Sequence, residues 1–282
     1  MPIKDVFLPL VGEPSKPALA AIETCVAAAD ELGAKITAFA VEEDILVRPK
    51  VVISSDLDNA AEAQALRSVT GARHLLNALE AVVSRLGVRA DSLVRKLPAE
   101  MIASAVAEQA RYSDLSLIPV KPNDSRLEHL IETLIFESGR PLLLCPEARV
   151  SGSGLRVKFE NVMIAWDHSA RAARAVGDAL PILHAATSVR VITATDEDTD
   201  DIIKSGADLV DHLREHGVFA SFETVRIDGS SIGKVLGNWA HEHAIDAIVM
   251  GAYRHSRLNE IVWGGVTKTV IGEPPCWVMM SH

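Results

Sequence analysis

Short apolar runs alternate with longer stretches of helical period from one end of this chain to the other. No other feature narrows the possible folds as much. In the first half, residues 6–10, 35–41, 91–97, 115–120 and 142–145 read as strands, and 15–32, 59–86, 100–111 and 126–136 as helices. Glycines close two of these helices, Gly33 after the first and Gly87 after the second. Residues 42–58 lack a clear period and read as a loop with at most a short strand at 51–53. Ser125 followed by Glu128 reads as a capping box opening the last helix of this half. A strand can return parallel to its predecessor only through a right-handed crossover, so this alternation requires a parallel sheet covered by helices on both faces.

The order then repeats. Residues 162–166, 189–194, 220–226, 247–250 and 277–280 read as strands, with 170–183, 200–216, 232–243 and 257–271 as helices between them. Asp124-Ser125-Arg126-Leu127 is echoed by His255-Ser256-Arg257-Leu258, each a few residues after an apolar strand. Residues 149–155, Arg-Val-Ser-Gly-Ser-Gly-Leu, have linker composition. The expectation is two tandem α/β domains, residues 1–148 and 159–282, the first lengthened by its insertion between Glu42 and Leu86.

Hydrophobic residues make up 48% of the 282 and charged residues 23%, which is enough to build packed cores. A net charge of −10 argues against a broad nucleic-acid surface or docking on anionic lipid. The start, Met-Pro-Ile-Lys-Asp-Val, has neither a basic nor an apolar leader region, and no apolar run reaches membrane-span length. The expected location is therefore cytoplasmic. Cys25, Cys145 and Cys276 are far apart in sequence and form no CxxC pair, so they read as reduced core thiols.

The chemistry concentrates in residues 246–271. A buried strand ends at Met250-Gly251, a second turn closes at Gly264-Gly265, and a helical run leads from there to Ile271. Glycines let the backbone approach an anion, and free N–H groups at a helix start attract it, so this layout can cradle phosphate. The bland alternative is that Gly251 ends a strand and Gly264-Gly265 break a helix.

This stretch resembles the universal stress protein family, whose nucleotide-binding members carry Gly, two residues, Gly, nine residues, Gly and then Ser or Thr. Gly251, Arg254 and Gly264 fall on that spacing. Val162-Met-Ile-Ala165-Trp-Asp167-His-Ser169 resembles the family's first strand and Asp-x-Ser turn, and 275–282 resembles its last strand. Arg254 replaces the second glycine and Gly265 the hydroxyl residue, leaving Thr267 as the nearby hydroxyl.

The resemblance implies doubly wound five-stranded sheets of order 3-2-1-4-5, like adenine nucleotide alpha hydrolases. The ligand crevice then lies where strand order reverses, between the first and fourth strands. For the second half it implies an adenine nucleotide, ATP or AMP, bound by Ala165, Asp167, Ala194, Met250, Gly251, Arg254, Gly264, Gly265, Val266 and Thr267. Asp167 would reach the adenosine part, with Ala194 and Thr195 closing over the base. Asp167 could equally cap the following helix. The Arg254 guanidinium is expected to point outward or fold over the phosphates, and turned inward it would fill their space. In the first half Val11 stands where the acid belongs, Pro119-Val-Lys-Pro-Asn lacks the glycine, and Glu132 to Phe136 contains none, so that copy is expected not to bind. Family members dimerise through the fifth strand, which implies an internal pseudo-dimer here and leaves a further homodimer open.

Asp167-His168-Ser169 cannot align as a catalytic triad, being neighbours on one turn. His212 with His216 and His241 with His243 lack a third ligand, so no metal is required. Trp239 and Trp263 read as core or interface rather than as stacking platforms. The leading functional reading is a nucleotide-binding stress-response module without fast turnover. The others are an adaptor of the same fold that has lost nucleotide, and a slow ATPase, for which Asp167 is the one obvious carboxylate.

Overall fold

The computed structural model describes residues 2–12, 14–45, 56–120, 124–146, 157–252, 254–257, 260–263 and 265–282. The expected strand at 51–53 and the linker at 149–155 lie outside them. The first half runs β1 (Asp5–Leu10), α1 (Lys16–Glu31), β2 (Lys35–Glu43), α2 (Asp56–Leu86), β3 (Ala90–Leu97), a 3-10 turn (Ala99–Met101), α3 (Ile102–Ala110), β4 (Leu115–Val120), α4 (Ser125–Glu137) and β5 (Leu142–Pro146). The second runs β6 (Asn161–Ala165), α5 (Ala170–Ala185), β7 (Ser188–Ala194), α6 (Asp200–Glu215), β8 (Ala220–Val225), α7 (Ile232–Glu242), β9 (Ala247–Gly251), β10 (Arg254–Arg257), β11 (Glu260–Trp263), α8 (Gly265–Gly272) and β12 (Trp277–Ser281).

Both halves have the strand order 3-2-1-4-5, and they do not stand as separate sheets. The order β3-β2-β1-β4-β5-β12-β9-β6-β7-β8 makes one ten-stranded sheet. Every pairing in it is parallel except β5 with β12, where Leu142, Leu143 and Leu144 face Met280, Met279 and Val278. Both joining strands are buried throughout. Their side chains alternate between faces, with Leu143, Cys145, Trp277 and Met279 in the layer under α1, α2, α5 and α6. Leu142, Leu144, Val278 and Met280 enter the layer under α3, α4, α7 and α8. Each core layer thus crosses the junction between halves. Because β5 and β12 run in opposite directions, the strand carboxyl ends of the two halves open at opposite margins of the sheet.

The two halves share one side-chain contact. The residue before the fourth strand of each half is an aspartate that holds the start of the first strand. Asp114 Oδ2 accepts from Lys4 N at 2.8 Å and Asp5 N at 3.1 Å. Asp246 Oδ2 accepts from Glu160 N at 3.1 Å and Asn161 N at 2.9 Å.

Three local expectations change. Asp124, not Ser125, caps α4, its Oδ1 accepting from Arg126 N and Leu127 N at 3.2 and 3.1 Å; a carboxylate one residue earlier outcompetes the hydroxyl. Residues 257–271 are not one helix. The antiparallel pair β10–β11 comes first, and α8 starts only at Gly265. The residue pattern there is β-like, with Ile261, Val262 and Trp263 in succession. The echoed tetrapeptides therefore occupy different structures: Ser125 and Arg126 open a helix, whereas Ser256 and Arg257 sit on β10, and Leu258 is outside the described residues.

All three thiols are free and fully buried. Cys25 is not isolated: a hydrogen bond with Cys145, and then burial, raise its pKa well above the ordinary thiol value. Such thiols are unreactive in the native state. A thiol reagent such as Ellman's should label none of the three before unfolding and all three after it, and a native disulfide would contradict that. Replacing Asp114 or Asp246 by alanine removes two charge-assisted bonds to backbone N–H groups at partly exposed sites. Each change should lower stability by about 1–2 kcal/mol in urea unfolding.

Candidate functional site

At the carboxyl ends of β6 and β9, where strand order reverses, the structure opens a cavity of about 840 Å³. It gathers Ala165 and Asp167 from the end of β6, Ala194 from β7, Met250 and Gly251 from β9, and Gly265 from the start of α8. Residues separated by up to a hundred positions meet because parallel strands bring all their carboxyl ends to one margin. Gly264 and the side chains of Arg254, Val266 and Thr267 lie outside the described residues, so their expected roles stand as sequence readings.

Asp167 does not cap α5. Its Oδ1 accepts from Ser169 N at 3.0 Å, closing an Asx turn, and Ser169 is the N-cap, its Oγ accepting from Ala172 N at 3.1 Å. The turn between them holds His168 at φ 60°, a left-handed conformation that costs a non-glycine residue roughly 1–2 kcal/mol. Asp167 is thereby fixed at the mouth of the cavity, exposed to it.

The two described glycines of the expected cradle differ. A Cβ on Gly251 would stand 2.6 Å from Ala172 N and 2.7 Å from the Arg171 carbonyl carbon, both backbone atoms of α5. Gly251 is therefore required by strand-on-helix packing, whatever binds beside it. Among the described residues, a Cβ on Gly265 would meet nothing within 4 Å. Here open space lies over a helix start that borders the cavity, and this is where an anion could approach.

Much of the wall comes from residues that sequence reasoning did not single out. Ile192, Ile202, Ile227, Ile232 and Leu236 make it largely aliphatic, and Asp201, Ser230 and Ser231 add polar groups. Trp166 packs behind the β6 end, its indole Nε1 donating to Ser205 Oγ at 2.9 Å, and Thr193 Oγ1 donates to Trp166 O at 2.8 Å. Beyond β7, Asp196 Oδ1 accepts from Ile227 N at 3.0 Å and Asp228 N at 2.8 Å, tying together the loops after β7 and β8 that carry part of the rim. A sequence signal for these residues exists only as the apolar faces of α6 and α7, which do not reveal how deep each helix docks.

In the first half, the corresponding margin is approached by α2. A Cβ on Gly71 would meet Pro14 Cδ at 3.1 Å and lie 3.9 Å from Gly12 O, so this helix packs against the β1–α1 turn itself. The His212 and His216 rings meet edge to face at 4.8 Å, and His184 Nε2 lies 2.6 Å from His216 O. Among the described residues, no group of three or more His, Cys, Asp or Glu could hold a metal ion, and no helix is long and apolar enough to cross a membrane. Replacing Gly251 by alanine should cost about 1–3 kcal/mol, because the new methyl must displace the backbone of α5. Circular dichroism melting would measure it, and an unchanged midpoint would show that the α5 start yields freely.

Comparison with known proteins places this geometry. Residues 158–282 match the model of the universal stress protein family. Over nearly its whole length the chain has the fold of a universal stress protein from Archaeoglobus fulgidus DSM 4304, with 14% identity, 98% of this chain and 97% of that one covered, and a TM-score of 0.66. A functionally unknown protein from Pseudomonas aeruginosa PAO1 is similar at 13% identity, 99% and 92% coverage and a TM-score of 0.58. The cytoplasmic domain of a prokaryotic cation chloride cotransporter follows at 11% identity, 99% and 95% coverage and a TM-score of 0.50. A search of curated proteins finds no significant match. The cavity at the switch point of the second half therefore lies within residues 158–282, the segment that matches the universal stress protein family model.

Proposed function

We propose that this chain is a stress-response module that binds an adenine nucleotide, ATP or AMP, in its second half without fast turnover. The observation that carries the reading is the single cavity that collects Ala165, Asp167, Ala194, Met250, Gly251 and Gly265 at the strand ends. Its aliphatic slot suits a purine, the Asp167 carboxylate suits ribose hydroxyls, and the open helix start at Gly265 suits phosphate. Gly264, Val266 and Thr267 would complete the phosphate side, with Arg254 as an added cation. In the same proposal residues 1–148 form a domain that has lost its site, with α2 packed on the β1–α1 turn, and residues 159–282 form the binding domain. The two make an internal pseudo-dimer through β5 and β12.

A second reading, an adaptor without nucleotide, draws on Gly251, whose side-chain space is taken by α5 and needs no ligand to explain it. Calorimetry with ATP and with AMP separates the two. The expected affinity is micromolar or weaker, about 6–8 kcal/mol. Asp167→Ala should weaken it roughly 10- to 100-fold through loss of a charge-assisted hydrogen bond. Ala194→Trp should abolish binding by filling the slot. Absence of heat for the wild type together with binding by Arg254→Gly would show that the arginine closes the site, and would favour the adaptor. Slow hydrolysis, the third reading, would be seen as phosphate release lost in Asp167→Ala.

A further inference from the structure

The outer edge of β3 is one end of the ten-stranded sheet, and three of its eight residues are charged. All eight residues pair with β2, and among the described residues nothing pairs on the other side. Residues 91–96 are all exposed, on both faces of the strand. Two of them are apolar, Leu93 at 39% and Val94 at 49% exposure. Asp91 is 72% exposed and gives only Oδ2 to Lys35 Nζ, at 2.9 Å. Arg95, one of two basic residues on the strand, makes no ion pair among the described residues.

The direction of the free hydrogen-bonding groups follows from the inner ladder. Ile36 N donates to Arg89 O at 2.9 Å and Asp44 N to Leu97 O at 2.7 Å, so the odd-numbered residues turn their backbone groups toward β2. In a parallel ladder the groups alternate, which leaves Ala90, Ser92, Val94 and Lys96 facing outward. A second β3 added antiparallel must match outward residues to outward residues. The allowed registers therefore pair even with even numbers. One of these places the two-fold axis at Leu93: Ser92 then pairs with Val94 of the partner subunit, and Ala90 with Lys96 of the partner subunit. Directly opposite residues share a face, so Leu93 meets Leu93 of the partner subunit and Asp91 meets Arg95 of the partner subunit. The odd face of β3 reads acid, apolar, base, and rotation about its centre superposes each group on its complement. Shifting the axis to Val94 sets Arg95 against Leu93 and Asp91 against Leu97, losing both ion pairs. At the other end of the sheet, β8 carries Glu223 and no basic residue, so self-pairing there gains no such complement.

We propose that two copies of this chain associate through antiparallel pairing of β3 about an axis at Leu93, extending the sheet from ten strands to twenty. The edge supplies eight backbone hydrogen bonds by this register, two reciprocal ion pairs and a central leucine contact. An interface made by strand addition is small, so association belongs in the range of roughly 10–100 µM.

Sedimentation velocity across that range tests it. The wild type should shift from monomer toward dimer as concentration rises. Arg95→Asp should raise the dissociation constant about 10-fold by setting like charges opposite each other, and Asp91→Arg with Arg95→Asp should recover most of the loss. Val94→Pro removes an outward N–H without touching the β2 ladder and should leave a folded monomer by circular dichroism. The register has its own readout. Opposed residues at a non-hydrogen-bonded pair lie about 4.5 Å apart at Cα, within disulfide range. Leu93→Cys should therefore form a covalent dimer with diamide as oxidant. Ser92→Cys, about 8 Å from its copy by the same register, should not. The native thiols are buried and do not interfere. A wild-type monomer throughout the range would overturn the proposal and leave the edge to an extended segment of another protein. Equal cross-linking by both cysteine variants would overturn the register.

Discussion

The antiparallel contact between β5 and β12 is the constraint on which the arrangement of this molecule depends. Each half, taken alone, would end in an apolar edge strand, Leu142 to Cys145 in one and Trp277 to Met280 in the other. An exposed apolar edge invites uncontrolled pairing. Joining them satisfies both edges at once and turns two small cores into two continuous layers, one on each face of the sheet. Residue 282 is drawn into the same seam. His282 packs edge to face on Phe136 at 4.6 Å and accepts a hydrogen bond from Arg171 Nε at 3.1 Å, so α4 of the first half and α5 of the second meet over the junction.

The same antiparallel contact sends the two sets of strand carboxyl ends to opposite margins, so each half builds or loses its crevice independently. The second half has an open one, with an Asx turn holding Asp167 and a helix start at Gly265 that no described residue obstructs. In the first half a 31-residue α2 reaches the equivalent turn and packs on Pro14. Both halves have what the sheet needs, seen in the matched aspartates Asp114 and Asp246. The surroundings of the equivalent strand ends differ between them. That division is expected when the scaffold is under a packing requirement in both copies while a crevice at a strand end is not.

Closing the inner edges leaves β3 and β8 as the outer ones, and these differ. β8 lies close against α6, where a Cβ on Gly206 would fall 2.2 Å from the Phe222 ring. β3 is bare on both faces. A sheet that solves its edge problem internally at one junction thus carries a second edge whose charges are arranged for a copy of itself.

The alternation of apolar strands and periodic helices, read from residues alone, determined a parallel α/β sheet in each half, because no other layer arrangement buries both faces of such strands. Gly33 and Gly87, at φ 64° and 72°, end their helices as the sequence required, since only glycine enters that conformation without cost. The convergence of Asp167 with Gly251 followed from the strand order that the resemblance implied, not from the alternation itself. Contacts beyond the pattern were not legible. The helix read from residue 257 onward gives way to antiparallel pairing of Arg254–Arg257 with Glu260–Trp263, since a four-residue strand is too short for period to distinguish. The packing demand on Gly251 left no trace in the pattern, because what presses on a glycine belongs to another element. The aliphatic wall of Ile202, Ile227 and Leu236, the indole of Trp166 locked to Ser205, and the closure of the first-half turn by α2 depend on how deeply helices seat on the sheet. That depth is set by the fit of side chains between elements distant in sequence, and only the folded structure decides it.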